Sequence, residues 1–122
     1  MEDKANADLL EATNALSATE FNDEVKRAID DTISTIVGQQ VLKALYNHLK
    51  EHYDVTADEI PRRLDTLFNA LEKTFGFKGA LTLSRAIARR AYARMGLRFI
   101  ELPDYRLQDY LEQAKKQLSL LP

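Results

Sequence analysis

ALTLSRAIARRAYARM, residues 80–95, is the stretch whose reading decides the fold. Wound at about 100° per residue, it puts Ala80, Ser84, Ile87, Ala88, Ala91 and Met95 on one side, flanked by Leu81, Leu83 and Tyr92. That side is apolar and mostly small, which suits a helix gripped closely by its neighbours. Ala86 and Ala93 on the opposite face let a second element approach there too. The spacing predicts a central helix from about Ala80 to Met95, stopped by Gly96.

The same period extends outward in both directions. Upstream, Ile60, Leu64, Leu67, Phe68, Leu71 and Phe75 make a wide apolar face that ends at Gly76. Thr56-Ala57-Asp58-Glu59 has the form of a capping box. Pro61 either sits in a tolerated first turn or separates a short turn from the main helix. A helix from about Gln39 to Tyr53 turns Val41, Leu42, Leu45, Leu49 and Tyr53 inward. Before it, Val25, Ile29, Ile33 and Ile36 predict a helix over Asn22–Val37, with Asn22 as its N-cap and Gly38 as its stop. Downstream, Leu97–Leu102 is a short apolar segment that reads as extended. Pro103-Asp104 then opens a last helix with Leu107, Tyr110, Leu111, Ala114, Leu118 and Leu121 inward. The expected fold is all-α, a single compact, bundle-like or orthogonal domain of five or six helices around the arginine-bearing one. Residues 1–20 read as a weakly helical N-terminal arm, and 21–122 as the helical domain.

A chain of 122 residues fits one domain and can bury a core without a metal or disulfide staple. With 45% hydrophobic and 30% charged residues it has a globular composition. The absence of cysteine excludes a disulfide framework and a thiol nucleophile, and suits a reducing cytoplasm. MEDKANADLL has no basic region followed by a long apolar stretch, and no apolar run approaches a membrane span. A cytoplasmic location and no membrane partner are expected. No motif asks for a cofactor.

A net charge of −2 disfavours nucleic acid as a partner, yet the charge is unevenly placed. Residues 1–31 are rich in acids, whereas Lys78, Arg85, Arg89, Arg90, Arg94 and Arg98 follow one another with no acid among them. Arg85, Arg89 and Arg90 lie on the polar side of the central helix. They either dock an acidic partner or form a solvated face paired loosely with Asp30 and Asp31. Arg94 falls between Leu83 and Ile87 on the wheel, so it must snorkel or form a structural ion pair.

Two motifs suggest other chemistry. His48-Leu49-Lys50-Glu51-His52 places two imidazoles one helical turn apart, with Glu51 where an inverted zinc-peptidase motif holds its base. A catalytic zinc needs a third protein ligand, and with no other histidine and no cysteine only a carboxylate could serve. His48 also borders the Val41/Leu45/Leu49 stripe, where an imidazole packs its ring against neighbours. Gly76-Phe77-Lys78-Gly79 has the G-x-x-G spacing of a KH backbone clamp, but that fold needs strands the pattern does not supply. The glycines read better as the stop of one helix and the start of the next.

Gly38-x-x-Val41-x-x-Ala44-Leu45-Tyr46-x-His48-Leu49, followed by Tyr53, Ile60-Pro61, Phe68, Leu71, Phe75-Gly76 and Ile87, resembles the Nitrosopumilus output domain, a small archaeal helical family. The similarity runs from roughly Phe21 to Leu97 and leaves out both ends. It implies a helical fold and a signalling or interaction role, with no catalytic residue to carry over. The leading expectation is a non-enzymatic interaction or signalling-output domain that meets an acidic protein surface through Arg85, Arg89 and Arg90. The alternatives are a nucleic-acid-binding module using Arg85–Arg98 and a zinc hydrolase at His48/Glu51/His52. Leu9 and Leu16 at one end, and Leu118-Ser119-Leu120-Leu121 at the other, suggest a homodimer.

Overall fold

A computed structural model describes residues 16–120, the side chain of Leu120 excepted. Its elements are α1 (Ala18–Val37), α2 (Gln39–Tyr53), a short 3₁₀ helix (Ala57–Arg62), α3 (Leu64–Arg94) and α4 (Leu107–Leu120). Among the described residues the architecture is all-helical, and these five helical elements pack around one core. α1 lies mainly against α3, with α4 and α2 packed on α3 and α1 respectively.

α1 begins earlier than its apolar stripe suggests. The Ser17 hydroxyl accepts from the Glu20 N–H at 3.1 Å, and the Ser17 N–H donates to the Glu20 carboxylate at 3.1 Å. This reciprocal cap satisfies two of the orphan donors of a helix start, so Asn22 lies inside the helix and is not its cap. Those hydrogen bonds also hold the Glu20 carboxyl below its usual range. The cap and first turn of α1 thus fall within the expected arm of residues 1–20, of which 1–15 lie outside the described residues. Phe21, Val25, Ala28, Ile29, Thr32 and Ile33 are buried in a continuous stripe. Ile36 continues that stripe but is 54% exposed.

Gly38 joins α1 directly to α2, and Gly76 divides α3 into arms 64–75 and 77–94. At Gly76 the backbone takes φ 79° and ψ 170°, a combination open essentially to glycine alone. The long helical run is thus two helices meeting at a sharp bend, and residues 77–94 are the central helix expected from the sequence. Pro61 falls in the 3₁₀ helix, the short separate turn of the two alternatives. Its start is held by Glu59, whose carboxylate accepts from both the Thr56 N–H (3.0 Å) and the Thr56 hydroxyl (2.8 Å).

The segment 95–106 is irregular, not extended. It is fastened by an aromatic cluster instead of a β-ladder. The Tyr110 hydroxyl donates to the Leu102 carbonyl at 3.0 Å and accepts from the Leu102 N–H at 3.1 Å. The Tyr92 hydroxyl donates to the Tyr110 carbonyl at 2.5 Å. Phe99 stands between them, its ring 5.2 Å from Tyr92 and 5.1 Å from Tyr110. Pro103-Asp104 forms a turn, with Asp104 at φ 63°, and α4 starts only at Leu107, where Asp109 accepts from the Arg106 N–H at 2.9 Å. Leu118 belongs to the core and Leu16 packs against it, so the sequence motive for a homodimer loses both residues. Leu9 and Leu121 lie outside the described residues.

Two outcomes are expected. Gly76→Ala should cost about 1–3 kcal/mol although nothing crowds the site, because the cost is conformational; equal denaturation midpoints for wild type and variant would contradict this. Burial, with Tyr105 and Tyr110 adding to it, pushes the Tyr92 phenol up to about 12. The folded pKa lies above the unfolded value of about 10, so the stability it supplies is complete below about pH 10 and drains as pH rises through about 12. Tyr92→Phe should cost about 1 kcal/mol at neutral pH, through the lost hydrogen bond, yet show a shallower alkaline loss in denaturant melts.

Candidate functional site

The second arm of α3 carries all four arginines of interest, and the structure provides each with a carboxylate. Arg94 Nε lies 3.1 Å from Glu24 Oε2, and its Nη1 lies 3.6 Å from Asp31 Oδ2. Arg90 Nη2 reaches the same Asp31 oxygen at 3.7 Å. Arg85 Nη1 and Arg89 Nη2 converge on a single oxygen, Glu101 Oε1, at 3.4 and 3.6 Å. The seam between α1 and α3 is thus bordered by alternating charges. Arg94 sits deepest, its side chain 28% exposed and that of Glu24 20% exposed. Its carboxylate partner is half-shielded, not buried.

Only half of the expected pairing with α1 occurs. Asp31 takes arginines, whereas Asp30 turns to α2 and to its own helix: it accepts from the Tyr46 hydroxyl and from Lys26 Nζ at 2.9 Å. Burial and then this carboxylate push the Tyr46 phenol far above its ordinary value. Asp30 therefore serves the α1–α2 junction and not the arginine face.

Beside the charges runs a groove of about 490 Å³ between α1 and α3, into which Ile36, Thr82, Ala86 and Ala93 face with Arg85, Arg89 and Arg90. It explains the exposure of Ile36, because the residues opposite it are too short to cover it. A larger depression of about 710 Å³ lies between the start of α1, the 3₁₀ helix and α4. Gln108 Oε1 is buried near it without a hydrogen-bond partner. It adjoins Leu16 and Ser119, next to stretches outside the described residues, and we assign it no role.

Of the sequence candidates, Arg85, Arg89, Arg90 and Arg94 come together on one face. His48 and His52 lie elsewhere, on α2. Their ring centroids are 4.4 Å apart, and His48 also meets Tyr53 edge-on at 5.9 Å. Among the described residues no group of three His, Cys, Asp or Glu side chains could hold a metal. The G-x-x-G glycines serve the bend: Gly76 forms it, and a Cβ on Gly79 would stand 2.8 Å from Phe75 Cβ. Glu101 is the site residue that sequence reasoning missed. Sixteen residues separate it from Arg85, and an irregular segment offers no period from which to place it. Ile36 was legible as apolar but not as exposed.

No family model, curated protein or solved structure matches the chain. Of the positions that carry the resemblance to the Nitrosopumilus output domain, Leu45, Leu49, Ile60, Phe68, Leu71 and Ile87 are core residues, and Gly38 and Gly76 are helix junctions. They describe a fold and not a chemistry. Among the described residues no helix is long and apolar enough to cross a membrane.

Arg94→Gln should lower stability by about 1–2 kcal/mol, more than Arg89→Gln, because its two carboxylates are better shielded and lose their shared cation. Equal melting temperatures for the two variants would refute the ranking.

Proposed function

We propose that this chain is a non-enzymatic interaction or signalling-output domain that docks an acidic segment of a protein partner along the α1–α3 groove. One observation carries the reading: an apolar side chain stands uncovered in a groove whose wall is lined with arginines. Exposed apolar surface beside aligned charge is the usual makeup of a recognition surface, where the apolar part supplies affinity and the charges supply register and encounter rate. The partner chemistry follows from complementarity, carboxylates toward Arg85, Arg89 and Arg90 and an apolar residue toward Ile36. The resemblance to an output-domain family points the same way.

The nucleic-acid reading fits less well. Glu24 and Asp31 occupy Arg90 and Arg94, which leaves too few cations for the run of phosphate contacts that a nucleic-acid backbone makes. A zinc hydrolase at His48/Glu51/His52 would have to find its third ligand outside the described residues. Cytoplasmic location remains part of the proposal and rests on composition.

Reversing Arg85, Arg89 and Arg90 to Glu should change stability by only about 1 kcal/mol, since all three are solvent-facing. It should abolish binding of a fluorescein-labelled synthetic amphipathic helix built from Glu and Leu. An equally charged DNA oligonucleotide that binds the wild type more tightly than the peptide would overturn the protein-docking reading. So would a triple variant that keeps the peptide.

A further inference from the structure

We propose that the point where Arg85 and Arg89 converge is a carboxylate-recognition position, and that Glu101 is the chain's own occupant of it, displaced when a partner's Asp or Glu side chain binds. The inference rests on the docking reading above and names the contact at its centre. Two guanidiniums meet one carboxylate oxygen, and neither does so well: 3.4 and 3.6 Å exceed the 2.7–2.9 Å typical of a charge-assisted hydrogen bond. A carboxylate can accept a two-pronged guanidinium fork, so this arrangement leaves donors on both arginines unused. The charges are unequal as well. Arg85 and Arg89 share the single charge of Glu101, while Arg27, Arg90 and Arg94 share the two carboxylates Asp31 and Glu24. One positive charge is left over in each group, and that of Arg85 and Arg89 stands beside the groove.

The way Glu101 is mounted makes displacement inexpensive. Its neighbour Leu102 is clamped through both N–H and C=O by the Tyr110 hydroxyl, so the backbone beside Glu101 stays in place. The Glu101 side chain is 53% exposed and can leave by rotation alone. Arg89 is steadied independently, its guanidinium 5.4 Å from the Phe99 ring centroid, and so stays aimed when Glu101 departs. Arg85 and Arg89 line the groove together with Ile36 and Ala86, and there the apolar side of an incoming acidic segment would rest.

The test is a titration of the labelled Glu/Leu helix against wild type, Glu101→Gln and Glu112→Gln. Glu112 lies on α4 and its removal changes net charge equally. Removing an internal competitor worth a typical exposed ion pair should tighten binding by about two- to fivefold in Glu101→Gln and leave Glu112→Gln close to wild type. Equal tightening in both variants would reduce the effect to net charge and overturn the inference. Unchanged or weaker binding by Glu101→Gln would overturn it while leaving the docking reading intact. Binding that survives in the Arg85/Arg89/Arg90→Glu variant would remove the docking reading itself. Retained helicity in Glu101→Gln, read by circular dichroism, verifies that the fold is unaltered.

Discussion

Everything in this molecule depends on the close contact between α1 and the second arm of α3. In that contact both helices bury a face in the common core, α3 with the small Ala80, Ser84, Ala88 and Ala91 and α1 with the larger Val25, Ile29 and Ile33. Small side chains on one helix and branched ones on the other let the backbones approach and keep the interior dense. The border of this contact brings acids of α1 within reach of arginines of α3. Towards the end of α1 the groove is walled by Thr82 and Ala86, short residues on another face of α3, and Ile36 is left in the open. The core contact and the groove thus belong to the same pair of helices.

The rest of the chain serves to hold that pair. Gly76 lets the first arm of α3 turn away and bury Leu67, Phe68, Ala70 and Leu71 in the same core. Asp30 and Tyr46 tie α2 to α1 across the Gly38 junction. The aromatic cluster of Tyr92, Phe99, Tyr105 and Tyr110 fixes an irregular segment that would otherwise have little to order it. Each of those ring contacts and hydroxyl bonds offsets part of the conformational entropy lost in 95–106. As a consequence Glu101 occupies a defined place opposite two arginines.

How much of this could be read from the chain depends on range. Helices with long apolar stripes were legible, since a period of 3.6 repeats many times over α1, α2 and both arms of α3. The breaks at Gly38, Gly76 and Gly96 were legible because each glycine takes a positive φ that other residues resist. The start of α1 was misplaced by choosing Asn22 over Ser17, although Ser17 and Glu20 carry the capping-box spacing. The start of α4 was misplaced because Pro103 also suits a turn. Arg85, Arg89, Arg90 and Arg94 were visible as a basic block. Their partners were not, because Glu24, Asp31 and Glu101 are matched to them by tertiary packing and not by spacing. Ile36 shows the same limit: periodicity says which face a residue is on, but not whether the neighbour on that face is large enough to cover it.

The most direct test of the account is an amide chemical-shift map of the protein titrated with the acidic Glu/Leu helix. The account requires the perturbed amides to cluster in the last two turns of α1, in the second arm of α3 and around Glu101, with α2 and the 3₁₀ helix unmoved. Shifts centred on the depression between α4 and the start of α1, or spread evenly over the surface, would contradict it.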